Sequence, residues 1–278
     1  MPNFNLNYMD VKGKNENVKN VLNFIKENYN TERKEGKPEE LDYVLDFEKY
    51  LPTPTDDKGE IIDNWYEWRL ENWGCKWSPL SDQYNHLKVV YENGEEYCYD
   101  GKYTAGGKEE FEFNEKNIDK LLDEVDKIKE ISLDVTFDTP WCPPYSIIVN
   151  WSERYKGIDL VNKYYEPGCC FAGKMGFENG EQFYDEGYEG WENEEFIEFL
   201  LTEEFENIET FMEMTDCYIT EMYMEEKGEE FVNKLKDKVW KQLKNEKYEK
   251  NQAKLFCEIQ SKYMEFIYNK SKEMKKEQ

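Results

Sequence analysis

The spacing of apolar residues changes near Trp191, which divides the chain into two kinds of structure. Before that point short alternating runs recur, Phe4, Leu6, Tyr8 and later Ile131, Leu133, Val135, Phe137, as half-buried strands require. Asn93-Gly94 separates the strand-like runs 87–92 and 95–100, and this dipeptide suits a hairpin turn. Steps of three and four at Val18, Val21, Leu22, Ile25 and at Ile118, Leu121, Leu122, Val125, Ile128 predict two amphipathic helices. Trp65, Trp68 and Leu70 suit a further helix, and Pro143-Pro144 stand where a helix over 144–155 would begin. Residues 30–42 read as a charged loop. Leu45-Asp46-Phe47, Phe111-Glu112-Phe113, Tyr164–Tyr165 and Cys170–Met175 read as short strands, the last two joined at Gly168. After Trp191, Phe196, Phe199, Leu200, Phe205, Ile208 and Met212 mark one helical face, and 229–276 carries another. The expected fold is α+β: a body over 1–190 rich in antiparallel pairs, then a mostly helical extension over 191–278.

Composition narrows the chemistry. Aromatic residues make up 16% of the 278 positions, too many for a disordered acidic chain. No run approaches the apolar length of a membrane span, and Met1–Asn7 lacks a leader's cationic and apolar regions, so a soluble cytoplasmic protein is expected. The cysteines, Cys75, Cys98, Cys142, Cys169, Cys170, Cys217 and Cys257, have no CxxC spacing and read as reduced, partly buried thiols. His86 is the only histidine, which removes most zinc sites and the Ser-His and Cys-His nucleophile systems. It reads as a surface or edge residue. No DxD, ExxH or phosphate-cradling glycine loop is present, so no catalytic residue, metal or cofactor is expected.

Charge is segregated. Residues 178–230 hold 20 acids and one base, Lys227, whereas 231–278 hold 13 lysines and 7 acids, within a total of −26. Were 193–213 one helix, Glu195, Glu198, Glu206, Glu209 and Glu213 would form a stripe about 27 Å long. Like charges at that density disfavour an isolated helix and suit an outer face that meets cations. The candidate partner surface is Glu192, Glu195, Glu198, Glu203, Glu206, Glu209, Glu213 and Asp216. Two plainer readings stand beside it: a solvated face, or pairing with the lysine-rich end 231–278. A second candidate site is aromatic. Trp73, Trp77 and Trp141 with Lys76 could stack on a nucleotide base, although tryptophans near glycine and proline are commonly core.

Several strings carry a family resemblance. They are Met1-Pro2-Asn3 with Asn7 and Met9, Leu45–Lys49 leading to Pro52 and Pro54, Asn72-Trp73-Gly74-Cys75-Lys76-Trp77, Phe137–Pro144 and Tyr164–Gly173. In that order they resemble the YubB-like family, found on plasmids, phages and other mobile elements. The resemblance implies a ferredoxin-like core without an iron–sulfur cluster and transfers no activity. Phe4-Asn5 and Cys75 depart from the family pattern, and 191–278 lies outside it. The functional expectation is a binding protein that inhibits a host nucleic-acid-binding defence protein through an acidic, nucleic-acid-mimicking surface. The partner would be a host protein with a basic surface; neither membrane nor direct nucleic-acid binding is expected. The alternatives are a nucleotide-binding module or enzyme using the aromatic pocket, and a homo-oligomer joined through the C-terminal helices.

Overall fold

Residues 5, 7, 9, 11 and 13 of the strand Phe4–Lys14 (β1) are buried, while Tyr8 and Lys12 between them are exposed. This period-two burial fixes which face of the sheet carries the core. The structure, a computed structural model, describes residues 3–34, 37–80, 83–100, 112–245 and 249–274. The chain divides into two compact units, Met1–Cys169 with Gly173–Glu186, and Cys170–Ala172 with Gly187–Gln278.

In the first unit β1 is followed by Val18–Asn28 (α1), Tyr29–Lys34 (β2), Lys37–Leu45 (β3), Phe47–Tyr50 (α2) and Trp65–Asn72 (α3). Then come Tyr84–Tyr91 (β4), Glu96–Asp100 (β5), Glu115–Asp123 (α4), Ile128–Pro140 (β6), Tyr145–Arg154 (α5) and Asp159–Glu166 (β7). Phe171–Glu178 (β8) and Glu181–Glu189 (β9) complete a seven-stranded sheet of order β5-β4-β6-β1-β7-β8-β9. Its centre, β4-β6-β1-β7, is antiparallel in the pairings β4–β6, β1–β6 and β1–β7, with α1 following β1 and α5 joining β6 to β7. That is the split β-α-β arrangement of a ferredoxin-like fold. Val21, Leu22, Phe24 and Ile25 of α1, Ile118 and Leu121 of α4, and Ile147, Ile148 and Trp151 of α5 share one core with the buried face of the sheet. The Phe24 and Trp151 rings meet edge-on at 5.1 Å.

Local chemistry sets the boundaries. Asn114 caps α4 by accepting from the Asn117 N–H at 2.9 Å. Gly94, at φ +85, closes the β4–β5 turn with its N–H on the Tyr91 carbonyl at 3.0 Å. Several expectations need correction. Residues 30–42 are no loop: β2 and β3 form an antiparallel hairpin from Tyr29↔Leu45 onward, its charged side chains hiding the strand pattern. Asp46-Phe47 is not strand, because Asp46 accepts from the Glu48 N–H at 3.0 Å and caps α2. Ile128 opens β6 rather than ending a helix. The strand β9 carries no clear alternation in the sequence, since glutamates and glycine interrupt its aromatic residues. Phe111 lies outside the described residues, and Glu112 makes only an isolated bridge to Asp100. Of the seven thiols, Cys98, Cys169 and Cys217 are exposed and only Cys75 and Cys257 are buried.

The second unit contains Glu194–Thr202 (α6), Ile208–Lys227 (α7), Glu229–Asn245 (α8) and Glu249–Met274 (α9). The segment 193–213 is therefore not one helix. Acids at the C-terminal end of α6 oppose its dipole, Glu204 adopts φ +58, and Asn207 starts α7 afresh by accepting from the Thr210 N–H at 3.0 Å. Gly228, at φ +77, ends α7. Met212, Ile219, Val232, Val239, Leu243 and Ile259 form a core among α7, α8 and α9. Phe211 meets Phe256 at 4.9 Å, and Tyr218 stacks on Tyr263 at 4.5 Å. Among the described residues no helix is long and apolar enough to cross a membrane.

Candidate functional site

Three of the strings that carry the resemblance, on β1, β6 and β7, meet at one end of the ferredoxin-like sheet. Antiparallel register places Phe4 opposite Pro140, and Leu6 opposite both Asp138 and Tyr165. The start of β1, the end of β6 and the end of β7 thus lie together. Beside Phe137 and Tyr165, five polar residues are buried there: Asn5, Asn7, Thr139, Asn162 and Glu166. Asn7 is the hub. Its amide nitrogen donates to the Thr139 hydroxyl at 2.9 Å, and its oxygen accepts from the Asn5 and Asn162 amides, each at 3.0 Å. The Glu166 carboxylate accepts from the Gly168 N–H at 3.0 Å and from the Cys169 N–H, fixing the turn after β7. That carboxylate also holds the Cys169 thiol above its usual pKa, which leaves this exposed cysteine a poor nucleophile.

The predicted aromatic site splits in two. Trp73 is fully buried, its indole N–H donates to the Leu51 carbonyl at 3.0 Å, and its ring packs on Phe47. It is core, because Gly74 turns the chain immediately after it. Lys76, Trp77 and Trp141 do meet at the surface. The Lys76 ammonium lies 4.8 Å from the Trp77 ring, 5.3 Å from Trp141 and 5.9 Å from Tyr66. The two tryptophan rings are 6.3 Å apart and tilted by 41°. Trp141 adopts φ +66, which costs a bulky residue of the order of 1–3 kcal/mol.

A third arrangement was invisible in the sequence. On the polar face of the sheet Asp100, His86, Asp134 and Asp10 stand directly opposite one another on β5, β4, β6 and β1. His86 is half-buried on an interior strand, not at an edge, and its Nδ1 lies 2.5 Å from Asp100 Oδ1. Burial first, then the hydrogen bond and charge of Asp10, push the Asp134 carboxyl up to about 6. Strand alternation could place Asp10, His86 and Asp134 on polar faces; their alignment depends on inter-strand register, which sequence alone does not provide. Among the described residues no group of three or more His, Cys, Asp or Glu side chains could hold a metal ion.

The acidic candidates divide between paired and open positions. Asp216 accepts from the Trp240 indole at 2.8 Å and lies 3.7 Å from the Lys236 ammonium. Glu198 pairs with Lys250 at 3.6 Å. Outside the candidate set, Glu225 pairs with Lys270 at 3.3 Å. Glu203 and Glu206 are half-buried. Glu192, Glu195, Glu209 and Glu213 are exposed, and among the described residues Glu195, Glu209 and Glu213 have no cation within ion-pair distance.

Comparison with known proteins matches residues 122–218 to the ferredoxin-like domain in Api92-like protein. A stretch of 49 residues is 41% identical to the uncharacterized protein YubB of Escherichia coli strain K12, covering 18% of this chain and 34% of that protein. The chain thus spans about a third of the length of the curated relative it matches. The crystal structure of protein api92 from Yersinia pseudotuberculosis is similar over 68% of this chain and 99% of that one, at 9% identity and a TM-score of 0.31. The family match and the strand order agree on a ferredoxin-like domain, and the YubB-like resemblance holds over part of the chain.

Proposed function

We propose that this chain is a cytoplasmic binding protein of a mobile element that inhibits a host nucleic-acid-binding defence protein, with the acidic segment 178–230 occupying the partner's basic surface. The observation that carries the reading is electrostatic. Residues 178–230 hold 20 acids against one base, and Glu195, Glu209 and Glu213 stand exposed without a cationic neighbour among the described residues. The lysine-rich helices α8 and α9 neutralise part of this charge, with pairs at Glu198, Asp216, Glu225 and Glu230. Unneutralised carboxylates repel one another along α6 and α7, and a cationic partner relieves that repulsion. Duplex nucleic acid presents phosphates at similar linear density, so a groove evolved for it is complementary to such a surface.

The test uses the triple variant Glu195→Lys, Glu209→Lys, Glu213→Lys of the full chain. Proteins captured from a bacterial lysate by the wild-type chain should be nucleic-acid-binding, released by excess duplex DNA, and lost with the variant. Capture that survives both the charge reversal and the DNA competitor would contradict the reading.

A further inference from the structure

The loops bearing Lys76 and Trp141 are tied together by contacts from distant parts of the chain. The Cys142 thiol donates to the Gly74 carbonyl at 3.0 Å, the Thr139 hydroxyl donates to the Cys142 carbonyl at 2.7 Å, and the Trp141 N–H donates to the Asn3 carbonyl at 3.0 Å. Gly74 adopts φ +82 and approaches α5 so closely that a Cβ there would meet the Tyr145 nitrogen at 2.8 Å. This framework supports an indole that is 41% exposed and held at φ +66. Glycine adopts that conformation without strain, whereas a bulky side chain does not. Packing of this ring against Trp77 and Lys76 offsets that strain, and the ring's remaining exposed face is open to a ligand.

The neighbouring charge is equally out of place. Lys76 sits against three aromatic rings and, among the described residues, has no carboxylate within ion-pair distance, in a chain of net charge −26. Arg69 of α3, which also lies over the Trp73 ring, is already paired with Glu48 at 2.6 Å. An unpaired ammonium beside an open indole presents a planar stacking surface and a single anion-binding group within a few ångströms of each other.

We propose that Trp141, Trp77 and Lys76 form a binding site for a nucleoside monophosphate, the base stacking on the Trp141 indole and the phosphate pairing with the Lys76 ammonium. The chemistry selects this ligand class. A ringless anion would gain only one ammonium, and an organic cation would have to displace Lys76 from the rings. A polynucleotide brings many phosphates to a site where, among the described residues, Lys76 is the one cation without an acidic partner, on a strongly acidic chain, and is repelled. A mononucleotide satisfies both elements with one ring and one phosphate.

The test is calorimetric titration of the full chain with AMP, UMP, adenosine, ribose 5-phosphate and a short single-stranded oligonucleotide, repeated on Trp141→Gly and Lys76→Met. AMP or UMP should bind and ribose 5-phosphate should not. Trp141→Gly should weaken AMP by at least about tenfold. Lys76→Met should weaken AMP about tenfold and leave adenosine unaffected. The proposal is overturned if neither nucleotide binds at millimolar concentration, or if Lys76→Met binds AMP as the wild type does. It is also overturned if Trp141→Gly, still folded by its melting transition, binds AMP as the wild type does. Tighter binding of the oligonucleotide than of AMP would replace the mononucleotide site with a single-strand surface.

Discussion

Asp10 and Asp134 face each other directly across the β1–β6 pair, with the carboxyl of Asp134 pushed up to about 6 by its burial and by Asp10. His86 and Asp100 continue the row on β4 and β5. Two carboxyl groups in register at the centre of a sheet cannot both ionise without mutual repulsion, so Asp134 keeps its proton to higher pH than a free carboxyl does.

The sign of the resulting pH dependence follows. In the unfolded chain Asp134 releases its proton near pH ~4, whereas in the folded chain it holds it to about 6. Between those values the unfolded state binds fewer protons, so stability falls as pH rises from about 4 through about 6 and then levels off. Because the group is partly solvated, screening reduces the effect to about 1 kcal/mol. Asp134→Asn should raise the melting temperature by about 2–4 °C at pH ~7.5 and leave it unchanged near pH ~4, as thermal unfolding at the two pH values will show.

Trp73 and Trp77 should behave as opposites although they lie in one short string. Trp73→Ala removes a fully buried ring and its hydrogen bond to Leu51, at a cost of about 3–5 kcal/mol. Trp77→Ala, at a half-buried position, should cost under about 1.5 kcal/mol. Urea denaturation of the two variants measures the difference.

Gly74→Ala tests the framework under the aromatic site. At φ +82, with a Cβ driven against the α5 backbone, alanine should destabilise the chain by about 1–3 kcal/mol. The same substitution should shift tryptophan fluorescence, because Lys76 and Trp77 follow directly after this turn.

Within the helical unit the acids differ in kind. Asp216→Ala leaves the Trp240 indole N–H and Lys236 without their acceptor and should cost about 1–2 kcal/mol. Glu209→Gln and Glu213→Gln, on exposed positions without ion pairs, should change stability by less than about 0.5 kcal/mol. Denaturation midpoints in low salt separate the two classes.

The α+β body and the helical end were legible in the sequence because apolar period is a local signal. Ile131–Phe137 and Val18–Ile25 are read correctly from spacing alone. The β2–β3 hairpin was not legible, since its charged residues carry no apolar alternation, and the break between α6 and α7 turned on the Asn207 cap within a continuous apolar pattern. The same limit governs the sites. Lys76, Trp77 and Trp141 could be grouped by composition, but the burial of Trp73 depends on the Gly74 turn. The alignment of Asp10 with Asp134 and His86 is a property of register between strands far apart in sequence.

The most direct test of the proposed function is competition. A bacterial nucleic-acid-binding protein captured by the wild-type chain is held on labelled duplex DNA, and the chain is titrated in at low and high salt. The account predicts that the wild-type chain displaces the DNA, that displacement weakens steeply as salt rises, and that the variant with Glu195, Glu209 and Glu213 each changed to lysine displaces none. Displacement of equal strength by the wild type and the variant would contradict it.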